Sequence, residues 1–233
     1  MPERHSISLV GKTVTATGVA HPDAAGFVLA GGRSSRMGAD KALVHFAGKP
    51  LVAHAVDLLR AAGLTATIAG ARSPLDEFAP VVEDSHSDAG PLGGICSALA
   101  STLARWAIFI SVDLPLLPVS LPVYLLHRAR ITGSTITVPS VNGFAQTFPA
   151  VVVRSALPAL QAELDAGRGG CFAAFQAAIA VQRQAISVFP VELLVQSGHL
   201  SHPHGLPPAR WFLNINAPAD LQRAEAHIGR KIA

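Results

Sequence analysis

The run Leu29-Ala30-Gly31-Gly32-Arg33-Ser34-Ser35-Arg36-Met37-Gly38-Ala39-Asp40-Lys41 gathers three glycines, three cations (Arg33, Arg36 and Lys41) and two adjacent hydroxyls. Glycines let a backbone turn tightly and bring its N–H groups against a ligand. The cations and hydroxyls supply the rest of a phosphate cradle. The run is not a Walker A loop. Gly48-Lys49 is followed by Pro50, and the upstream glycine of that motif is missing. It does not follow the GxGxxG pattern either. Taken alone, it fits equally well a glycine-rich turn that carries surface arginines.

Three other segments hold residues with comparable potential. Asp113, in Ile110-Ser111-Val112-Asp113-Leu114-Pro115, follows an apolar run. A carboxylate there suits Mg²⁺, which takes one or two carboxylates together with substrate phosphates. It also suits a plain turn cap. Asp84 follows Val81–Glu83, and Gly90-Pro91-Leu92-Gly93-Gly94 follows soon after, so backbone can approach a ligand where a helix opens. Asn214 and Asn216 alternate in Asn214-Ile215-Asn216-Ala217-Pro218, which puts both on one face of an expected strand. Asn216 could complete a metal shell, or the segment could simply open the last helix.

The elements that must position these residues alternate. Strands are expected at Ala25–Ala30, Thr65–Ala69, Val81–Glu83, Trp106–Val112, Ser134–Val138, Ala150–Val153, Ile186–Phe189 and Trp211–Ile215. Helices are expected at Leu51–Ala62, Leu92–Leu103, Leu121–Arg130, Ala156–Ala166, Cys171–Ile179 and Asp220–Ile228. The alternation predicts an α/β, three-layer sandwich: a mostly parallel, doubly wound sheet with helices on both faces. Ligands of such folds bind at the carboxyl ends of the strands, where Lys41, Asp84 and Asp113 would then gather. Residues 1–24 read as an N-terminal extension with a hairpin turning on Gly11-Lys12, and 25–233 as one domain. Gln196–Arg210, rich in Gly, Pro and His, reads as a surface loop.

Composition narrows the classes. The 233 residues are 50% hydrophobic and 14% charged, enough for a sizeable core and too apolar for whole-chain disorder. Mean hydropathy is high, at +0.40. Yet the most apolar run, Trp106–Val112, is stopped by Asp113 and followed by three prolines, so buried strands are expected and no membrane span. No basic-then-apolar leader opens the chain. A net charge of +3 with only four lysines gives no nucleic-acid footprint. Cys96 and Cys171 cannot build a disulfide framework; a reducing cytoplasm and packing roles are expected. His199, His202 and His204 have no Cys or carboxylate beside them, so a solvated loop is expected there, not a metal site.

Taken together, the spacing and order of LAGGRSSRMGADK, EDSHSDAGPLGG, SVDLPLLP and NINAPADL resemble the molybdenum cofactor guanylyltransferase family, within the Rossmann-like nucleotidyltransferases. The resemblance runs from about Gly26 to Ala226, with support from QTFPAVVVRSALPAL. It implies transfer of GMP from GTP to the terminal phosphate of molybdopterin, with Mg²⁺ as cofactor and pyrophosphate as by-product. It implies that Leu29, Ala30, Gly31, Gly32, Arg33, Lys41, Asp84, Gly90 and Asp113 hold the nucleotide. Asp113, Lys41 and Arg36 would be the catalytic groups, with Asp113, joined by Asn216, on the metal. Asn214, Asn216 and Gly94 would face the pterin. Molybdoenzymes or a chaperone are the implied protein partners. The rival readings are the cytidylyltransferase of the same cofactor and a non-catalytic carrier module. Family members often carry Asn after the second strand, where this chain has Ala69 and Gly70.

Overall fold

A computed structural model of the chain describes residues 6–9, 12–15, 20–30, 40–70, 75–84, 90–168, 170–181 and 184–229. β1 (Ser6–Leu9) pairs antiparallel with β2 (Lys12–Thr15). Leu9 pairs with Lys12, and Gly11 of the expected turn lies outside the described residues.

The main sheet starts with β3 (Ala24–Leu29), whose six residues are all buried. It lies between β6 (Ala66–Ala69) and β8 (Trp106–Ser111), parallel to both. β7 (Val81–Val82) adds in parallel beyond β6. On the other side β11 (Ala150–Val153) runs antiparallel to β8 and to β9 (Ile136–Val141). β10 (Phe144–Ala145) folds back on β9, and β12 (Ser187–Pro190) joins β9 in parallel. A short hairpin, β4 (His45–Phe46) with β5 (Lys49–Pro50), stands apart from this sheet. Most strands are thus parallel. The reversal at β11 follows from its short link to β9, since a parallel return needs a crossover of a dozen or more residues.

Alternation along the strands splits the core in two. Trp106, Ile108 and Ile110 of β8 point to one face, and Ala107 and Phe109 to the other. The first face is covered by α1 (Leu51–Ala61), α3 (Ser120–Thr132) and the later elements α6 (Val191–Gln196), α7 (Pro208–Trp211) and α8 (Pro218–Ile228). The second is covered by α2 (Gly90–Ser101), α4 (Leu157–Asp165) and α5 (Cys171–Val181). This is the expected three-layer arrangement. On the second face Phe27 and Phe109 stack with ring centroids 5.5 Å apart. On the first, Gly26 lets β3 approach α1: a Cβ there would sit 2.6 Å from the Thr65 carbonyl oxygen and 3.0 Å from Leu59.

Two expectations need correction. Trp211–Ile215 is not a strand. Pro208 lacks the N–H a ladder needs and instead sits in the first turn of α7, which takes in Trp211. The chain then runs on irregularly, anchored by buried Phe212 and Ile215. Asn214 and Asn216 therefore do not share a strand face. The Gln196–Arg210 segment is not wholly surface. It begins at the end of α6 and ends inside α7. Leu200 and His202 between them are buried. Gly, Pro and His signalled the lack of regular structure, but not how deeply the loop folds back. Among the described residues no helix is long and apolar enough to cross a membrane.

Candidate active site

Parallel pairing brings the carboxyl ends of β3, β6 and β8 to one edge. Leu29 lies opposite Ser111 and Ala69. Beyond the ladders, the Val112 N–H donates to the Leu29 carbonyl (3.1 Å) and the Ala30 N–H to the Ala69 carbonyl (3.1 Å). Asp113 thus emerges at this edge, one residue past Val112.

Lys41 arrives from a different element. It opens a single 3₁₀ turn, Lys41–Leu43, capped by Asp40, whose Oδ1 accepts the Ala42 N–H at 3.0 Å. Fully buried Ala42 seats the turn against α1. The Lys41 ammonium then donates to Asp113 Oδ2 at 2.7 Å and to Asn216 Oδ1 at 2.6 Å. Three residues widely separated in sequence meet at one nitrogen. Ion pairing and the low exposure of the Lys41 and Asp113 side chains, 18% and 17%, make this a strong contact.

Asn216 is itself held. The Asp220 carboxylate accepts the backbone N–H of Asn216 (3.0 Å) and of Ala217 (2.9 Å) at the start of α8. The Asn216 N–H, with help from Arg223 and Ala217, keeps the Asp220 carboxyl below the usual range. The Ile215 N–H donates to the Asp113 carbonyl at 3.0 Å, tying this segment to the β8 edge directly.

Asp113 Oδ1 is buried and accepts no hydrogen bond among the described residues. A buried oxygen left this way calls for a partner, such as a water or a bound ion. The donors fit a hard divalent cation: a carboxylate oxygen with nothing bound to it, and the amide oxygen of Asn216 across the Lys41 ammonium. No group of three or more His, Cys, Asp or Glu side chains among the described residues is arranged to hold a metal, the histidines at 199–204 included.

The other expected residues fall nearby or elsewhere. Asp84 lies against the first turn of α2, so close that a Cβ on Gly93 would sit 2.5 Å from its Oδ1. Gly93 was not singled out in the sequence, although GPLGG carries it. Gly94 packs α2 onto the ends of β3 and β6; its Cβ would lie 3.4 Å from Leu29 and 3.5 Å from Ala69 and Gly70. Leu29 buries its side chain there, at 4% exposure. Gly90, with φ +64°, opens α2. Asn214 is exposed one residue before Ile215. Gly31, Gly32, Arg33 and Arg36 lie outside the described residues. Cys96 and Cys171 are buried and unbridged, and burial pushes each thiol up to about 12, so neither is a nucleophile at neutral pH.

The Lys41–Asp113 pair lies at the carboxyl edge of the parallel sheet, where ligands of such folds bind. The family model for the MobA-like NTP transferase domain matches residues 26–184. The chain belongs to this family of nucleotidyltransferases. Relatives in the family include a molybdenum cofactor guanylyltransferase of Pseudomonas putida, 33% identical over 153 residues, which are 64% of this chain and 80% of the relative. That of Xanthomonas euvesicatoria is 45% identical over 97 residues, 41% of this chain. This match spans half the length of the Xanthomonas relative. Among solved structures, molybdopterin-guanine dinucleotide biosynthesis protein A of Archaeoglobus fulgidus aligns with a TM-score of 0.69 at 21% identity, covering 86% of this chain and 96% of that one. A 2-C-methyl-D-erythritol 4-phosphate cytidylyltransferase of Thermus thermophilus aligns at 0.60 and 16% identity, covering 86% and 96%. At these identities the family fold is what is shared. The family match ends before Asn216, so the third member of the cluster is known from the structure and not from the match.

Proposed function

We propose that the protein transfers GMP from GTP to the terminal phosphate of molybdopterin, giving the guanine dinucleotide and pyrophosphate, in the cytoplasm. The observation that carries this reading is the meeting of Lys41, Asp113 and Asn216 at the carboxyl edge of the sheet. The names of the family relatives supply the acceptor and the base.

In the reaction an oxygen of the acceptor phosphate forms a bond to the α-phosphorus of GTP. The bond from that phosphorus to the β-phosphate oxygen breaks, and pyrophosphate leaves with the electron pair. The nucleophile is already anionic at neutral pH, so no side chain has to remove a proton. What the protein must supply is position and charge compensation. Lys41 brings a cation to the meeting anions, and its two tethers fix where that cation lies. Arg36 and Arg33, in the same glycine-rich segment of the sequence, would add positive charge for the phosphates. Asp113, with Asn216 beside it, would hold Mg²⁺. The ion would supply Lewis-acid neutralisation of the phosphate oxygens. Asp84, Gly90 and the backbone of Leu29, Ala30, Gly31 and Gly32 would line the nucleotide, and Asn214, Asn216 and Gly94 the side toward the pterin. Molybdoenzymes or a chaperone would receive the product.

Base choice has a structural basis for a second reading. Ala69 is fully buried at the end of β6 and Gly70 follows with φ +78°, so neither position offers a polar side chain for a base. Cytidylyl transfer is therefore tested alongside. The experiment is pyrophosphate release. The proposal expects release from GTP that needs both molybdopterin and Mg²⁺. Release that is independent of molybdopterin would refute the acceptor.

A further inference from the structure

The histidine segment of residues 197–211 packs against the turn that carries Asp113, although nothing in the reaction above uses it. His202 is 9% exposed. Its Nε2 donates to the Leu116 carbonyl at 3.0 Å, and its Nδ1 accepts the His204 backbone N–H at 3.1 Å. A carbonyl can only accept and a backbone N–H can only donate, so the ring is the neutral Nε2–H tautomer. Both nitrogens are engaged, which leaves no electron pair for a metal. The ring also lies against the Trp211 indole, with centroids 6.0 Å apart, and the indole Nε1 donates to the Leu206 carbonyl at 2.8 Å. Ser120 Oγ adds a bond to the Ser201 carbonyl at 3.4 Å.

The path of the chain gives these bonds a consequence. Leu116 belongs to the tight turn after β8, in which the Leu114 N–H donates to the Ser111 carbonyl and the Leu117 N–H to the Leu114 carbonyl. Asp113 sits inside that turn. Five residues past Trp211, the same chain delivers Asn216, after Ile215 has bonded back to the Asp113 carbonyl. One continuous segment, 202–216, therefore grips the Asp113 turn at two points, Leu116 and Asp113. The Lys41 ammonium bridges the carboxylate and the amide at 2.7 Å and 2.6 Å, a span that tolerates little drift.

We propose that His202 is a positioning residue: by pinning the Leu116 carbonyl it fixes the Asp113 turn relative to Asn216, and so sets the geometry across Lys41. Its effect on turnover rests on the guanylyl-transfer reading, whereas its effect on the turn does not. Two substitutions separate the roles. His202→Leu keeps apolar volume beside Trp211 and removes the donor and the acceptor. His202→Gln keeps a side-chain N–H for Leu116 and an oxygen for His204.

Two readouts are taken, steady-state kinetics and hydrogen–deuterium exchange of the full chain. Misplacement of reacting groups by about 1 Å can cost on the order of 100-fold in rate. His202→Leu is expected to lower kcat at least about tenfold while KM for GTP stays within about twofold, because the loss falls on the transition state. Exchange should rise in peptides covering 113–117 and 212–216 and stay unchanged in α4 and α5. His202→Gln should recover most of the kcat and protection. Wild-type kcat and protection in folded His202→Leu would overturn the proposal. So would faster exchange spread evenly over the domain, or a Gln variant no better than Leu. If His202→Leu does not fold, Trp211→Phe keeps an aromatic ring against His202 while removing the indole bond to Leu206 and part of a fully buried side chain. It should show the same local pattern with a kcat loss of about threefold, and unchanged exchange at 113–117 would overturn the proposal. If the wild-type protein transfers nothing from GTP, the reaction reading fails, and the exchange pattern alone decides whether His202 is the pin.

Discussion

Lys41→Met, Asp113→Asn and the double variant form the most informative perturbation. Lys41→Met keeps the aliphatic stem and removes the ammonium, which leaves Asp113 Oδ2 and Asn216 Oδ1 without the donor they share at 2.7 Å and 2.6 Å. Asp113→Asn keeps the shape and removes the charge. Both side chains are less than one-fifth exposed, where a hydrogen bond to a charged group contributes about 1.5–3 kcal/mol. The larger effect falls on the transition state. Removing one preorganised charge-stabilising group costs about 2.7–4 kcal/mol, a factor of about 10²–10³ in kcat. Two independent losses of that size would multiply to about 10⁴–10⁶. If the two residues act as one unit, the double variant should be worse than either single one by no more than about tenfold. The assay is single-turnover transfer from labelled GTP, with thermal melting to show that each variant is folded. Losses that multiply in full would refute the idea that the ion pair works as a unit. Activity within about threefold of wild type in either single variant would refute its role in the reaction.

Other expectations follow from the same geometry. Gly26→Ala places a Cβ against the Thr65 carbonyl, which cannot move aside as a side-chain end could. A loss of about 1–3 kcal/mol is expected, read as a lower denaturant midpoint with unchanged slope. Burial lowers the His202 pKa to about 4, the bond to Leu116 opposing and His204 adding to the effect. The unfolded chain therefore takes up this proton first, so stability is full above about pH 6.5 and declines toward pH 4, by about 3 kcal/mol in total. Melting temperatures of His202→Gln should lack this part of the slope, and equal slopes would contradict it. Asp220→Asn removes the negative charge from the side chain whose one oxygen accepts from both Asn216 and Ala217. It should reduce kcat with little change in melting temperature at pH 7, and a large fall in melting temperature with intact kcat would show a purely structural cap.

Much of the scaffold could be read from residue patterns. The uninterrupted apolar run at Trp106–Val112 marks a strand covered on both faces, and Asp113 at its end reaches the carboxyl edge of the sheet. Lys41 and Asn216 were each legible as candidates from residue type and neighbours. Their meeting at one ammonium was not, because it depends on how α8 closes over the edge. Trp211–Ile215 reads as a strand because it is apolar apart from Asn214, while Pro208 commits the backbone to a helical turn that takes in Trp211. His202 was hidden for a related reason. Composition marks a loop, but whether a loop folds back on the core depends on partners such as Leu116 and Trp211 that lie elsewhere in the sequence or beyond the local pattern. The reversal of β11 was within reach, since the stretch between β9 and β11 is too short for a crossover helix.

Guanylyl transfer to molybdopterin is proposed to occur at the Lys41–Asp113–Asn216 cluster. The most direct test incubates the protein with Mg²⁺, molybdopterin cofactor, and GTP or CTP labelled at the α-phosphate, and follows label into a pterin dinucleotide. Label is expected from GTP, with little from CTP, and a loss of about 10²-fold or more with Asp113→Asn. Label from CTP alone, or none from either nucleotide while both still bind, would contradict the proposal.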